Sequence, residues 1–200
     1  MKIGIVLGSI REGRNNESVA KWVLDIAKAY SPDVDFELVD LLDYPLPLFN
    51  EAASPAYTSD LMAKEQQAPW AAKMDELDGY IFITPEYNHG ISSALKNALD
   101  YVYNELNDKA AGIVSYGSAG GVRSAEQLRT ILSEFQVAHV RTQPALSLFY
   151  DFGEEGLNPS DAQKDAVEQM LYQLSFWAPA MNSVREEKVA KADPKADPKA

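Results

Sequence analysis

Short continuous apolar runs alternate along the chain with stretches whose apolar residues recur every three or four positions, and the two periods separate strands from helices. Residues 2–7 (KIGIVL), 80–83 (YIFI) and 110–116 (AAGIVSY) are β-branched or aromatic runs, as expected of strands buried on both faces. Residues 34–40 alternate instead, with Val34, Phe36 and Leu38 against Asp35 and Glu37, which predicts a strand at or near a sheet edge. Residues 137–142 predict a weaker fifth strand. Helical spacing picks out Val19, Trp22, Val23, Ile26, Ala27 and Tyr30, then Trp70, Met74 and Leu77, the first of these a core residue. It returns at Ile91, Ala94, Leu95, Ala98, Leu99 and Val102, and at Ala125, Leu128, Ile131, Leu132 and Phe135. A last helix starts at Pro159-Ser160-Asp161 and buries Ala166, Val167, Met170, Leu171, Leu174 and Trp177.

Five strands alternating with about five helices predict an α/β three-layer sandwich, a parallel sheet covered on both faces. Right-handed crossovers leave the flavodoxin-like order 2-1-3-4-5 as the simplest arrangement, with the strand at Tyr80 in the middle. In that order the crossovers from the first and third strands leave in opposite directions. A ligand crevice is therefore expected at their carboxyl ends.

Three unusual loops should meet there. The first, residues 8–18, carries Ser9, Arg11, Arg14, Asn16 and Ser18 ahead of a helix capped by Asn16 or Ser18. Backbone N–H groups, hydroxyls and guanidinium groups at a helix N-terminus suit a phosphate. The loop has neither the Gly-x-Gly-x-x-Gly of a dinucleotide fold nor the Gly-Lys-Ser/Thr of a P-loop, so a phosphate monoester fits better. The plainer reading makes the arginines solvated and Asn16 merely a cap. The second loop begins where Pro85 ends its strand and runs through Glu86, Tyr87, Asn88 and His89. The third holds Ser115, Gly117, Ser118, Gly120 and Gly121, whose glycines serve a tight turn or admit a flat ligand to the backbone.

Elsewhere, residues 42–69 are irregular, broken by Pro45, Pro47, Pro55 and Pro69, with Leu46, Leu48 and Phe49 expected to pack locally. Residues 143–158 read as a surface excursion. The tandem Ala-Asp-Pro-Lys at the end has nothing to bury, so one domain over residues 1–183 and a disordered tail over 186–200 are expected.

The formal net charge of −12, with no basic cluster, argues against nucleic acid and anionic membranes as partners. There is no cysteine, hence neither disulfide nor thiolate chemistry, and no apolar span of about 18 residues. A cytoplasmic location is expected.

The motifs G-S-I-R-x-x-R-x-N, T-P-E-Y-N-x-G and L-K-N-A-L-D-Y, in this order and spacing, resemble the NADPH-dependent FMN reductase family, over roughly residues 1–180. The resemblance implies a flavodoxin-like fold, non-covalent FMN, NADPH or NADH as co-substrate, a small acceptor (a flavin, quinone, azo or nitro compound, or metal oxyanion), and a homodimer or homotetramer. It places Ser9, Arg11 and Asn16, with Ser18 and the additional Arg14, at the FMN phosphate. Pro85, Glu86, Tyr87 and Asn88 would line the isoalloxazine largely through backbone groups, and Ser115, Gly117, Ser118, Gly120 and Gly121 would close the third side.

A flavin supplies the redox chemistry, so no catalytic side chain and no metal is expected. Hydride passing to the flavin before the acceptor takes the same space predicts ping-pong kinetics. His89 is either a proton donor or an ordinary loop histidine; Tyr87 either stacks beside the flavin or meets a partner subunit. Glu86 and Asp100 lie too far apart for a shared acid–base site, and Arg123 reads as a helix-surface arginine or a contact for an NADPH phosphate. Tyr101 and Tyr103 suit a subunit interface or cap the core. The alternative class is a flavodoxin-type electron carrier, which the acidity favours and the arginine-bearing first loop opposes.

Overall fold

The computed structural model describes residues 1–57 and 67–192. Its sheet is built from β1 (Lys2–Leu7), β2 (Asp35–Asp40), β3 (Gly79–Pro85) and β4 (Ala110–Gly117), closed by two short edge pieces, β5 (Ala138–His139) and β6 (Ala145–Ser147). All pair parallel in the order β2-β1-β3-β4-β5, with β6 also on β4. The expected order is thus found. Every residue of β3 and β4 is buried, which is why both read as apolar runs.

Alternate residues face opposite layers. Ile3, Ile5, Leu7, Ile81, Ile83 and Val114 pack under α1 (Asn16–Tyr30) and α5 (Asp161–Ala192). Val6, Tyr80, Phe82 and Ile113 pack under α2 (Ala68–Glu76), α3 (Ser93–Asp100) and α4 (Val122–Glu134). Trp70 is fully buried in that second layer, and its indole N–H donates to the Ala98 carbonyl at 2.8 Å.

Several expectations shift. The fifth strand is split and continues into the stretch read as an excursion. Pro144 has no N–H to give, but its carbonyl accepts from Ser115 N at 3.0 Å, and Arg129 fills the gap by donating to the carbonyls of Val140 and Arg141. On α5 the buried row is Val167, Met170, Leu171, Leu174 and Ala178, so Trp177 stands half exposed. That helix runs through Ala192, past the Glu186 at which the tail was expected to begin. Arg185 holds it to the sheet's amino end by donating to the Asp108 carbonyl and Asp78. Residues 193–200 and 58–66 lie outside the described chain. Tyr101 is a core residue, its ring edge-on to Phe49, while Leu48 is exposed rather than packed. Among the described residues no helix is long and apolar enough to cross a membrane.

Candidate functional site

The carboxyl ends of β1, β3 and β4 feed the three loops into one place. Gly8 permits the first loop to pass close to β3: its N–H donates to the Ile83 carbonyl at 2.9 Å, and a Cβ there would sit 2.7 Å from that oxygen. Ser9, fully buried, hydrogen-bonds through Oγ to Tyr87 Oη at 2.9 Å, which ties the first loop to the second. Ser92 adds another tie, donating to the Gly8 carbonyl while accepting from Leu95 N at 3.0 Å as the N-cap of α3.

Arg11 and Arg14 have different work. Arg14 lies almost wholly buried, pairs with Asp40 and Glu17, and donates to the Ser9 carbonyl. Its hydrogen bonds to Asp40 hold its guanidinium above the usual range. Arg11 is exposed, lies 5.7 Å over the Tyr87 ring, and makes no ion pair among the described residues. Asn16 opens α1 and spans to β3, donating through Nδ2 to the Ile83 carbonyl at 3.1 Å. The helix is capped in position by Asn15, without a side-chain hydrogen bond; Ser18 turns its hydroxyl to the Asn15 carbonyl. Neither Asn16 nor Ser18 is the cap, because β3 and Asn15 engage them first.

The second loop is a tight hairpin. Tyr87 and Gly90 exchange both backbone hydrogen bonds, at 3.0 and 3.1 Å, around Asn88 and His89, whose φ values are 51° and 68°. Two successive left-handed residues mark a type I′ turn. Gln127 of α4 steadies it by donating to the His89 carbonyl. The adjacent Glu86 side chain caps α4, accepting from Arg123 N and Nε. In the third loop Ser115 donates to the Gly120 carbonyl at 2.7 Å, and Gly120 and Gly121 have φ of 72° and 71°. A Cβ on Gly121 would lie 2.7 Å from Tyr116 N, so the backbone closes on itself there. Gly117 sits under Glu86, and Ser118 is exposed at the turn.

Between the first two loops and the start of α3 lies a cleft of about 630 Å³ lined by Arg11, Glu86, Tyr87, Asn88, Ile91 and Ser93. Asn16 Oδ1 and Tyr116 Oη are buried without a hydrogen-bond partner among the described residues. Burial raises the Tyr116 pKa, as does neighbouring Tyr87, while Asn16 lowers it.

The chain matches the NADPH-dependent FMN reductase family over residues 1–151. It belongs to that family. A Schizosaccharomyces pombe protein named NAD(P)H-dependent FMN reductase is 39% identical over 147 residues, spanning 74% of this chain and 73% of its own. A Solanum tuberosum NAD(P)H:quinone oxidoreductase is 34% identical over 191 residues, spanning 89% and 93%. Among solved structures, the flavoenzyme NAD(P)H:(acceptor) oxidoreductase FerB from Paracoccus denitrificans superposes with a TM-score of 0.66 at 19% identity, over 90% of this chain and 98% of that one. That likeness shows the flavodoxin-like fold.

This member of the FMN reductase family is therefore an oxidoreductase that uses FMN and NAD(P)H, which sets the electron-carrier alternative aside. The cleft and its surroundings fit the cofactor. Arg11 lines it without an ion pair among the described residues, the first loop leads on to a helix whose cap residue makes no side-chain hydrogen bond, and the buried Asn16 Oδ1 and Tyr116 Oη lack partners among the described residues, a set that suits a ligand joining a phosphate to hydroxyls. Sequence reasoning missed Ser92, Asp40 and Gln127, which touch no ligand motif; the Ser-Ala-Leu-Lys run behind Ser92 was the available capping signal.

Proposed function

We propose that this reductase takes an electron pair from NAD(P)H and delivers it to a small oxidised molecule bound in the same cleft, one substrate leaving before the other enters. FMN supplies the chemistry when bound, accepting hydride and returning the electrons. The chain supplies placement. Ser9, Arg11 and the first-turn N–H groups of α1 hold the phosphate, and Asn16 shapes its floor by fixing α1 to β3. Arg14 assists indirectly, by holding the Ser9 carbonyl and thus the loop's shape. Pro85, Tyr87 and Asn88 on one side, and residues 117–121 on the other, present backbone to the flat ring. Glu86 stiffens both walls at once, since its own loop and the start of α4 are joined through it.

The observation that carries this reading is Arg11, which lines the cleft, makes no ion pair among the described residues, and lies in the loop that leads into α1, whose cap residue Asn15 makes no side-chain hydrogen bond. Initial rates over a grid of NADPH and acceptor concentrations test it. Parallel double-reciprocal lines are expected; intersecting lines would show both substrates bound together and refute the shared space.

A further inference from the structure

A second, apolar compartment of about 270 Å³ lies beside the flavin cleft, between α3 and the stretch after β2. The two share Ser93, and their walls run on in sequence, Ile10 beside Arg11 and Ala94 close behind Ile91. The floor is Leu41 and Ala98, both buried. Its mouth is rimmed by Ile10, Leu42 and Leu48, which are 51%, 54% and 80% exposed. Single exposed apolar residues are ordinary, but three around one concavity form a patch that water covers at a cost.

The compartment is held open by hydrogen bonds. Asn97 uses both ends of its amide on the outer wall, donating to the Pro47 carbonyl at 2.8 Å and accepting from Phe49 N at 2.8 Å. Tyr101 Oη donates to the same Pro47 carbonyl at 3.2 Å. Pro45 and Pro47 stiffen that wall further. The wall's polar groups are thereby spent on one another, and what remains facing inward is largely hydrocarbon.

We infer that this compartment takes the apolar side arm of the electron acceptor, so the enzyme selects acceptors that join a flat polar ring to a short aliphatic chain. The inference rests on the proposed shared cleft: the ring occupies the flavin cleft and the chain passes Ser93 to lie between Leu41, Leu42 and Ala94. On the order of 150 Å³ suffices for benzene in an apolar cavity, so this space admits a chain of about five carbons. With a quinone ring the balanced reaction is quinone + NAD(P)H + H⁺ → hydroquinone + NAD(P)⁺, and the arm takes no part in it. Its effect is on binding: each methylene leaving water gains about two- to fourfold, and a pentyl arm roughly 30-fold or more.

The test compares 2,3-dimethoxy-5-methyl-1,4-benzoquinone with its 6-pentyl homologue on the FMN-loaded full chain. Turnover gives kcat/KM for each, and calorimetric titration of the oxidised enzyme gives each Kd without turnover. The expected result is a pentyl preference of at least tenfold in both, carried by KM rather than kcat. Leu48→Asp, at an exposed rim position that cannot upset the core, and Ala94→Phe, which fills the space, should bring the preference close to one and leave the unsubstituted quinone unchanged. Equal wild-type affinity for the two quinones overturns the inference, as does a preference that survives both variants. Equal losses on both quinones with a changed mass by light scattering overturn it too, and assign the face to contact between copies. Intersecting rather than parallel kinetics with an intact pentyl preference in Kd would refute the shared cleft while leaving the compartment standing.

Discussion

Glu86, on the loop after β3, caps helix α4 at Arg123: its carboxylate accepts from the Arg123 backbone N–H at 3.1 Å and from Nε at 2.7 Å. The Glu86 side chain is 5% exposed and that of Arg123 42%, so the two are unequal partners. Removing the carboxylate strands a helix N-terminus, whereas removing the guanidinium leaves the cap in place. Glu86→Ala should lower stability by about 2 kcal/mol. Arg123→Ala should lose under about 1 kcal/mol. Urea unfolding of both variants decides the matter, and equal losses would mean the ion pair, not the cap, is what counts.

The two arginines of the first loop should separate by ligand. Arg11→Ala is expected to weaken FMN by about 10- to 100-fold, the loss of a charge-assisted contact, and to leave riboflavin, which has no phosphate, unaffected. Arg14→Ala breaks a nearly buried pair with Asp40 and should appear first as a drop in Tm. Fluorescence titration with both flavins, alongside thermal melts, distinguishes them; a selective FMN loss in Arg14→Ala with an unchanged Tm would reverse the assignment.

Within the type I′ turn, His89 is expected to contribute conformation more than protons. Its carbonyl is held by Gln127 and its φ is positive. Asparagine tolerates that geometry, so His89→Asn should keep kcat within about twofold across pH 5.5–8 and hold Tm. Valine does not, and His89→Val should be destabilised by about 1–2 kcal/mol. A kcat that collapses in the asparagine variant alone would restore a proton-transfer role.

At the amino end of the sheet, Lys109 is buried with its ammonium donating to the carbonyls of Met74 and Asp75, and burial pushes its pKa down to about 8. An unfolded lysine keeps its proton to about 10.5, so between these values the unfolded chain binds more protons than the folded one. Stability gains a rising contribution from Lys109 as pH climbs through that window. Lys109→Met should abolish the rise, read as the difference between wild-type and variant unfolding free energies at pH 7.5 and 10; a constant difference would contradict the assignment.

Central parallel strands were legible because burial on both faces leaves an uninterrupted apolar run, as in β3. The first loop stood out because its serine, arginines and asparagine fall together before a helix. What escaped depends on partners distant in sequence. Nothing near Arg14 announces Asp40, which arrives only when β2 pairs with β1, and nothing near Glu86 announces the start of α4, 37 residues on. β6 escaped because three residues after a proline carry no period. Trp177 misled because the helical stripe fits it as well as Ala178, and only the smaller side chain fits against the sheet. The wall held by Asn97 escaped because its bonds reach back about 50 residues to a stretch that looks unstructured.

Anaerobic stopped-flow mixing of the FMN-loaded protein with NADPH, and separately with NADH, tests the central claim most directly. The account predicts that at least one nucleotide removes the flavin's visible absorbance at a rate that saturates with concentration and equals or exceeds turnover, and that Arg11→Ala loses this signal by losing FMN. A bound flavin that neither nucleotide bleaches would contradict it.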